Sequence, residues 1–189
     1  MGVCAKKIIR VVAAVVLISA QPFVAPAARA DISELDELFQ ELQDPAGDDW
    51  EAVEKRIWKV WSQSGSDAMD LLLERGRQAI RAGDLDKAVE HLTALTDHAP
   101  DFAEGWNVRA TAFFMLEEYA LAVADIEQVL ALNPRHFGAI SGLAMIFEEV
   151  NQPENALKAY RAALAVHPHR ADIQEAIERL EQATDGISL

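Results

Sequence analysis

The chain has 189 residues, 51% of them hydrophobic, with 31 acidic against 17 basic side chains and a formal charge of −14. That balance excludes a nucleic-acid binder, because phosphate contacts need clustered Lys and Arg, and it opposes adsorption to anionic lipid. One cysteine, Cys4, cannot by itself supply a disulfide framework or a Cys-ligated metal centre.

The N-terminus carries a leader pattern. Lys6, Lys7 and Arg10 precede Val11–Ala20, which is apolar apart from Ser19, and a Pro/Ala-rich stretch ends in Ala28-Arg29-Ala30. Ten apolar residues are half of the about 20 that a spanning helix requires. Residues 1–30 are therefore expected to be a signal peptide cut after Ala30, with Ala27 the next-best site. That leader holds four of the 17 basic residues and no acidic one, so Asp31–Leu189 would keep 13 against 31, a charge of −18. The expectation is a thiol-free periplasmic or secreted protein with no stable membrane insertion after cleavage.

Residues 31–66 predict a helical hairpin. Leu35, Leu38, Phe39 and Leu42 form a stripe at i, i+3, i+4, i+7, preceded by Ser33 with Asp36 three residues on, a capping pattern. A turn is expected at Asp44-Pro45-Ala46-Gly47-Asp48. A second helix then carries Trp50, Val53, Ile57, Trp58, Val60 and Trp61.

Beyond it the chain repeats. Pro100, Pro134 and Pro168 stand 34 residues apart, each twelve residues after an alanine (Ala88, Ala122, Ala156). The units are 69–102, 103–136 and 137–170. Position four holds Leu72, Trp106 and Ile140; position eight Gly76, Ala110 and Ala144; position eleven Ala79, Phe113 and Phe147; position twenty-four Leu92, Ile126 and Tyr160. Small residues at eight and twenty let two helices approach, and large ones fill the space around them. Each proline falls where a helix must stop. Asp101 with Glu104 reads as a capping box and Gly83 as a C′ glycine. Ile173, Ala176, Ile177 and Leu180 mark a capping helix in residues 171–189.

This pattern resembles the tetratricopeptide repeat (TPR) family, three units in register. The resemblance implies an all-α, right-handed superhelix of antiparallel helical hairpins with flanking capping helices, and a concave groove lined by the first helix of each unit. Carried onto this sequence, a partner-binding groove would include Leu73, Arg77, Asn107, Thr111, Phe114, Ser141 and Met145. The family's clamp for a C-terminal carboxylate is missing, since Leu73, Gly138 and Gly142 stand where its basic residues belong.

Three of the four tryptophans, Trp50, Trp58 and Trp61, fall in one short segment. They either cover the apolar face of the first unit or form an interface with a partner or a second copy, because clustered Trp is typical of interface hot spots. Arg109 and Asp125 are expected to make a structural ion pair. His98, His136, His167 and His169 all fall at unit-closing turns, too far apart to share a metal.

No Gly-rich phosphate loop, H-E-x-x-H or G-x-S-x-G motif occurs. The expectation is a non-enzymatic periplasmic scaffold or adaptor, without cofactor or metal, that binds a peptide or protein in its groove. The alternative is a self-associating structural envelope protein using the Trp-rich helices.

Overall fold

The computed structural model describes residues 26–44 and 49–185. The leader up to residue 25, including Cys4, and the turn at residues 45–48 lie outside them. Among the described residues there are nine helices and no strand: α1 (Pro26–Leu42), α2 (Trp50–Trp61), α3 (Asp67–Arg81), α4 (Leu85–His98), α5 (Ala103–Met115), α6 (Tyr119–Leu132), α7 (Phe137–Glu149), α8 (Pro153–Val166) and α9 (Ala171–Asp185).

The 34-residue period becomes three hairpins, α3/α4, α5/α6 and α7/α8, stacked in chain order, with α3, α5 and α7 forming one layer. Ala88, Ala122, Ala144 and Ala156 are fully buried at the helix contacts. Gly76 is more constrained still, since a Cβ there would meet Leu92 Cγ at 2.5 Å. Each closing proline lies two residues past its helix, whose last turn ends at His98, Leu132 or Val166. The first helix of each unit ends in a left-handed residue: Gly83 (φ 74°), Glu117 (φ 61°) and Asn151 (φ 55°). Ile173 and Leu180 of α9 seal the last hairpin against Tyr160, Ala163 and Leu157.

Two local expectations change. Helix α1 begins at Pro26, so Ser33 lies inside it rather than at its N-cap. Helix α5 is preceded by Phe102, with no side-chain cap, and Glu104 does not close a capping box with Asp101. The Glu104 side chain is buried instead, at 2% exposure.

The Trp-rich hairpin does not cover the first unit. It lies across the start of the third, where Leu38, Phe39, Leu42, Val53, Ile57 and Trp61 enclose Phe137 in one buried cluster. Removing a Phe side chain from water is worth about 1.5–3 kcal/mol. Trp58 packs edge-on to Phe137 at 5.3 Å, and Trp61 stacks on His136 at 4.2 Å. Trp50 stacks on His169 at 5.8 Å. Polar contacts fix the register: Gln43 Nε2 donates to the Ala165 and Val166 carbonyls at 3.0 and 2.8 Å, and Arg135 pairs with Asp36 at 2.6 Å.

Candidate protein-interaction site

Helices α5 and α7 run side by side in the inner layer and leave a cleft of about 110 Å³ between them. Ala110, Ile126, Ala139 and Ile146 make its floor, and Asn107, Thr111, Phe114, Gly142 and Met145 its walls. The opening at Gly142 is real space, because a Cβ there would find only Ile126 Cδ1, at 3.8 Å. Met145 stands 45% exposed in the cleft wall. Phe114 is braced by Tyr119, ring centroids 5.7 Å apart.

Four of the seven expected groove residues, Asn107, Thr111, Phe114 and Met145, are thus brought together. The other three serve elsewhere. Leu73 is 1% exposed in the core with Leu92 and Leu95, because its stripe on α3 faces α4 and α5. Ser141 is buried and its hydroxyl donates to the Phe137 carbonyl at 2.8 Å, inside its own helix. Arg77 is drawn into an internal ion pair.

That ion pair belongs to a buried network at the other end of the layer. Glu104 Oε1 accepts from Arg77 Nη2 at 2.5 Å, while Oε2 lies 3.1 Å from both His136 Nε2 and Asn107 Nδ2. Arg77 Nη2 also donates to Ser62 Oγ at 3.0 Å, tying the end of α2 to the first unit. His136 Nδ1 accepts from the Ala139 N–H at 3.1 Å, so the imidazole is the N-cap of α7. The ring nitrogen facing Glu104 is therefore the one that carries hydrogen. A fully desolvated carboxylate is tolerable here only because all three donors converge on it.

The expected pair on the opposite side of α5 forms with two parallel bonds, Arg109 Nε and Nη2 to Asp125 at 2.8 Å each. Arg109 Nη1 adds Thr96 at 2.8 Å, and its guanidinium lies over Trp106, 4.7 Å from the ring centroid. His167 is buried beneath Trp50, with Nε2 3.4 Å from Glu54 Oε2. That neighbour is the main cause holding Glu54 below the usual carboxylate range, against desolvation. Tyr160 is pushed well above the usual phenol range, first by burial and then by its hydrogen bond to Glu148 at 2.7 Å.

The sequence placed Glu104 in a capping box, His136 at a turn and Gly138 and Gly142 only at the positions of an absent clamp, whereas in the structure they make the buried network and shape the cleft. Gly138 and Gly142 lie one turn apart on one face of α7, and their roles differ: Trp58 fills the space over the first and the cleft opens over the second. Two glycines at that spacing inside a helix were the available signal. Among the described residues no group of three or more His, Cys, Asp or Glu is placed to hold a metal, and no helix is long and apolar enough to cross a membrane.

A stack of helical hairpins with an open apolar cleft in its inner layer defines a protein-interaction repeat. A family model described as tetratricopeptide repeat matches residues 73–137. A TPR repeat-containing protein of Rhizobium etli is 32% identical over 185 residues, covering 90% of each chain. Small glutamine-rich tetratricopeptide repeat-containing protein 2 of Saccharomyces cerevisiae is 30% identical over 142 residues; that match covers 72% of this chain and 41% of the yeast protein. Among solved structures, the first TPR of Spaghetti (RPAP3) bound to the HSP90 peptide SRMEEVD superposes with a TM-score of 0.61 at 26% identity, covering 64% of this chain and 95% of that one. MamA superposes with a TM-score of 0.59 at 17% identity, covering 76% and 86%, a likeness of fold alone. The chain belongs to the tetratricopeptide repeat family.

Proposed function

We propose that this protein is an exported adaptor that holds a peptide segment of a partner protein in the α5–α7 cleft. The observation that carries this reading is the cleft itself, an apolar floor open to solvent between Phe114 and Met145. Apolar anchors entering such grooves are a recurring mode of peptide recognition. The RPAP3 domain, which was solved with a peptide, gives the reading support from a similar structure. Thr111 and Asn107 supply hydrogen-bonding groups beside the anchor, although Asn107 Nδ2 is engaged by Glu104 and leaves mainly its carbonyl oxygen free.

Export is supported by the leader pattern of Lys6, Lys7, Arg10 and the apolar run to Ala20. A cut after Ala30 would leave Leu35, Leu38, Phe39 and Leu42 in place, so the packing of α1 on Phe137 would survive. Mass spectrometry of the N-terminus recovered from the cell envelope tests it; an intact Met1 would contradict export by cleavage.

Trp50, Trp58 and Trp61 pack on His136, Phe137 and His169 of the same chain, which supports the adaptor reading over self-association through these rings. The adaptor reading is tested by affinity capture from the native envelope with the wild type beside Gly142→Leu, which fills the cleft. A partner present with the wild type and absent with the folded variant is expected. Equal recovery would refute the cleft as the site.

A further inference from the structure

We propose that the cleft selects a peptide whose apolar anchor is flanked by lysine or arginine; this rests on the cleft being the partner site. The size of the space fits one anchor. An apolar cavity of about 150 Å³ accommodates benzene, and the 110 Å³ here matches a single branched or thioether side chain.

The charges around the opening are one-sided. The lining contains no Lys or Arg. Arg77, Arg81 and Arg179 are each paired with a carboxylate: Arg77 with Glu104, Arg81 with Glu74 at 2.8 Å, and Arg179 with Glu148 at 2.7 Å. Two carboxylates at the Phe114 end have no cationic partner among the described residues. Glu149 is exposed one turn beyond Met145 on the same face of α7. Glu117 is exposed just past α5, its N–H bonded to the Phe114 carbonyl at 2.9 Å. Both act on the Tyr119 hydroxyl, whose ring touches Phe114; after desolvation, Glu149 and then Glu117 hold that phenol above its usual range. Glu149 is the last residue of α7 and Glu117 lies two residues past α5, so both carboxylates stand at the C-terminal end of the helix pair, the end of the cleft that Phe114 lines.

A cation beside the anchor meets this rim favourably, and a carboxylate there is repelled. Such complementarity at a solvated rim acts mainly on partner choice and association rate. It also explains what replaces the absent carboxylate clamp: with Gly142 in the wall and Glu117 and Glu149 at the edge, the groove is shaped for the opposite charge.

The test is fluorescence anisotropy on the leader-free chain with two labelled synthetic peptides. Both carry one central leucine among alanines, with lysine pairs on its two sides in the first and glutamate pairs in the second. The lysine peptide should bind about tenfold tighter or more, a preference that weakens with salt. Glu117→Lys with Glu149→Lys should reverse the order. Glu90→Lys with Glu127→Lys, the same change of charge on exposed positions of α4 and α6, should leave it. Gly142→Leu, with helicity unchanged by circular dichroism, should abolish binding of both peptides. No preference, a preference for the glutamate peptide, no binding of the lysine peptide, or an equal effect of the α4/α6 control pair overturns the proposal. Binding that survives Gly142→Leu removes the cleft reading as well, whereas loss of both peptides without any charge preference removes only the choice of partner.

Discussion

Glu104 Oε2 lies 3.1 Å from His136 Nε2 with both side chains at 2% exposure or less, so the first helix of the second unit is bonded to the cap of the third through groups removed from water. Arg77 joins the first unit to the same carboxylate. One side chain thus joins the first unit to the second and holds the imidazole that caps the first helix of the third. Glu104→Ala should lower stability by about 3 kcal/mol, because it strands a guanidinium and an imidazole away from their partner. Glu104→Gln, which keeps an acceptor, should lose less. Urea unfolding followed by circular dichroism reads both, and a loss for Glu104→Ala under about 1 kcal/mol would rank the network with ordinary surface pairs.

Glu117 occupies the left-handed position that Gly83 and Asn151 fill in the neighbouring units. A non-glycine residue there is strained by roughly 1–2 kcal/mol, whereas glycine adds roughly 0.5–1 kcal/mol of unfolded-chain freedom. Glu117→Gly should therefore raise stability slightly, by about 0.5 kcal/mol on these two magnitudes. The same variant should weaken capture of a lysine-flanked peptide. A fall in the thermal midpoint would show that the Glu117 side chain stabilises the turn in a way that outweighs its backbone.

Gly76 and Gly142 are both helical and should respond oppositely to alanine. At Gly76 the new Cβ would lie 2.5–2.6 Å from Leu92, an overpacking expected to cost 1–3 kcal/mol. At Gly142 it meets Ile126 at 3.8 Å, and the gain in helix propensity should stabilise by about 0.5–1 kcal/mol. Parallel denaturant titrations check the pair; equal losses would mean that the α5–α7 cleft is closed in solution.

Two carboxylates set an acid limit. Glu54, held down first by His167, and Asp172, held down first by its hydrogen bonds from Arg170, both have folded pKa values below their unfolded ones. A depressed carboxylate contributes stability that is present above its unfolded pKa and lost as pH falls through the folded value. The thermal midpoint should accordingly drop as pH is lowered from about 5. Glu54→Gln should flatten part of that drop, and an unchanged profile in this variant would exclude Glu54 as a contributor.

The repeats were legible because their cause is local and periodic. Small residues at Gly76 and Ala110, apolar residues at Leu92 and Ile126, and prolines at one spacing each answer to a contact made within a hairpin or with the next one. The same register carried Asn107, Thr111, Phe114 and Met145 to the cleft. It failed for Leu73 and Ser141, where a groove position turns inward, and for Arg77 and Glu104, where two charges find each other across units. Glu104 looks like a capping residue from three positions of sequence, and only its burial against His136 and Arg77 makes it a structural anion. The docking of α1 and α2 on Phe137 follows no period at all. Their apolar stripes require a partner surface without specifying which one, and the third unit offers it through Gly138, where Trp58 can approach the backbone.

The most direct test of the cleft as the partner site is photo-crosslinking in the source cell. A benzophenone amino acid is placed at Met145, at the mouth of the cleft, or at Arg75, exposed on α3 and away from it. A discrete higher-mass adduct is expected from Met145, absent from Arg75 and lost when Gly142→Leu is added. Adducts of equal yield from both positions, or a Met145 adduct that persists with the cleft filled, would contradict the cleft as the partner site.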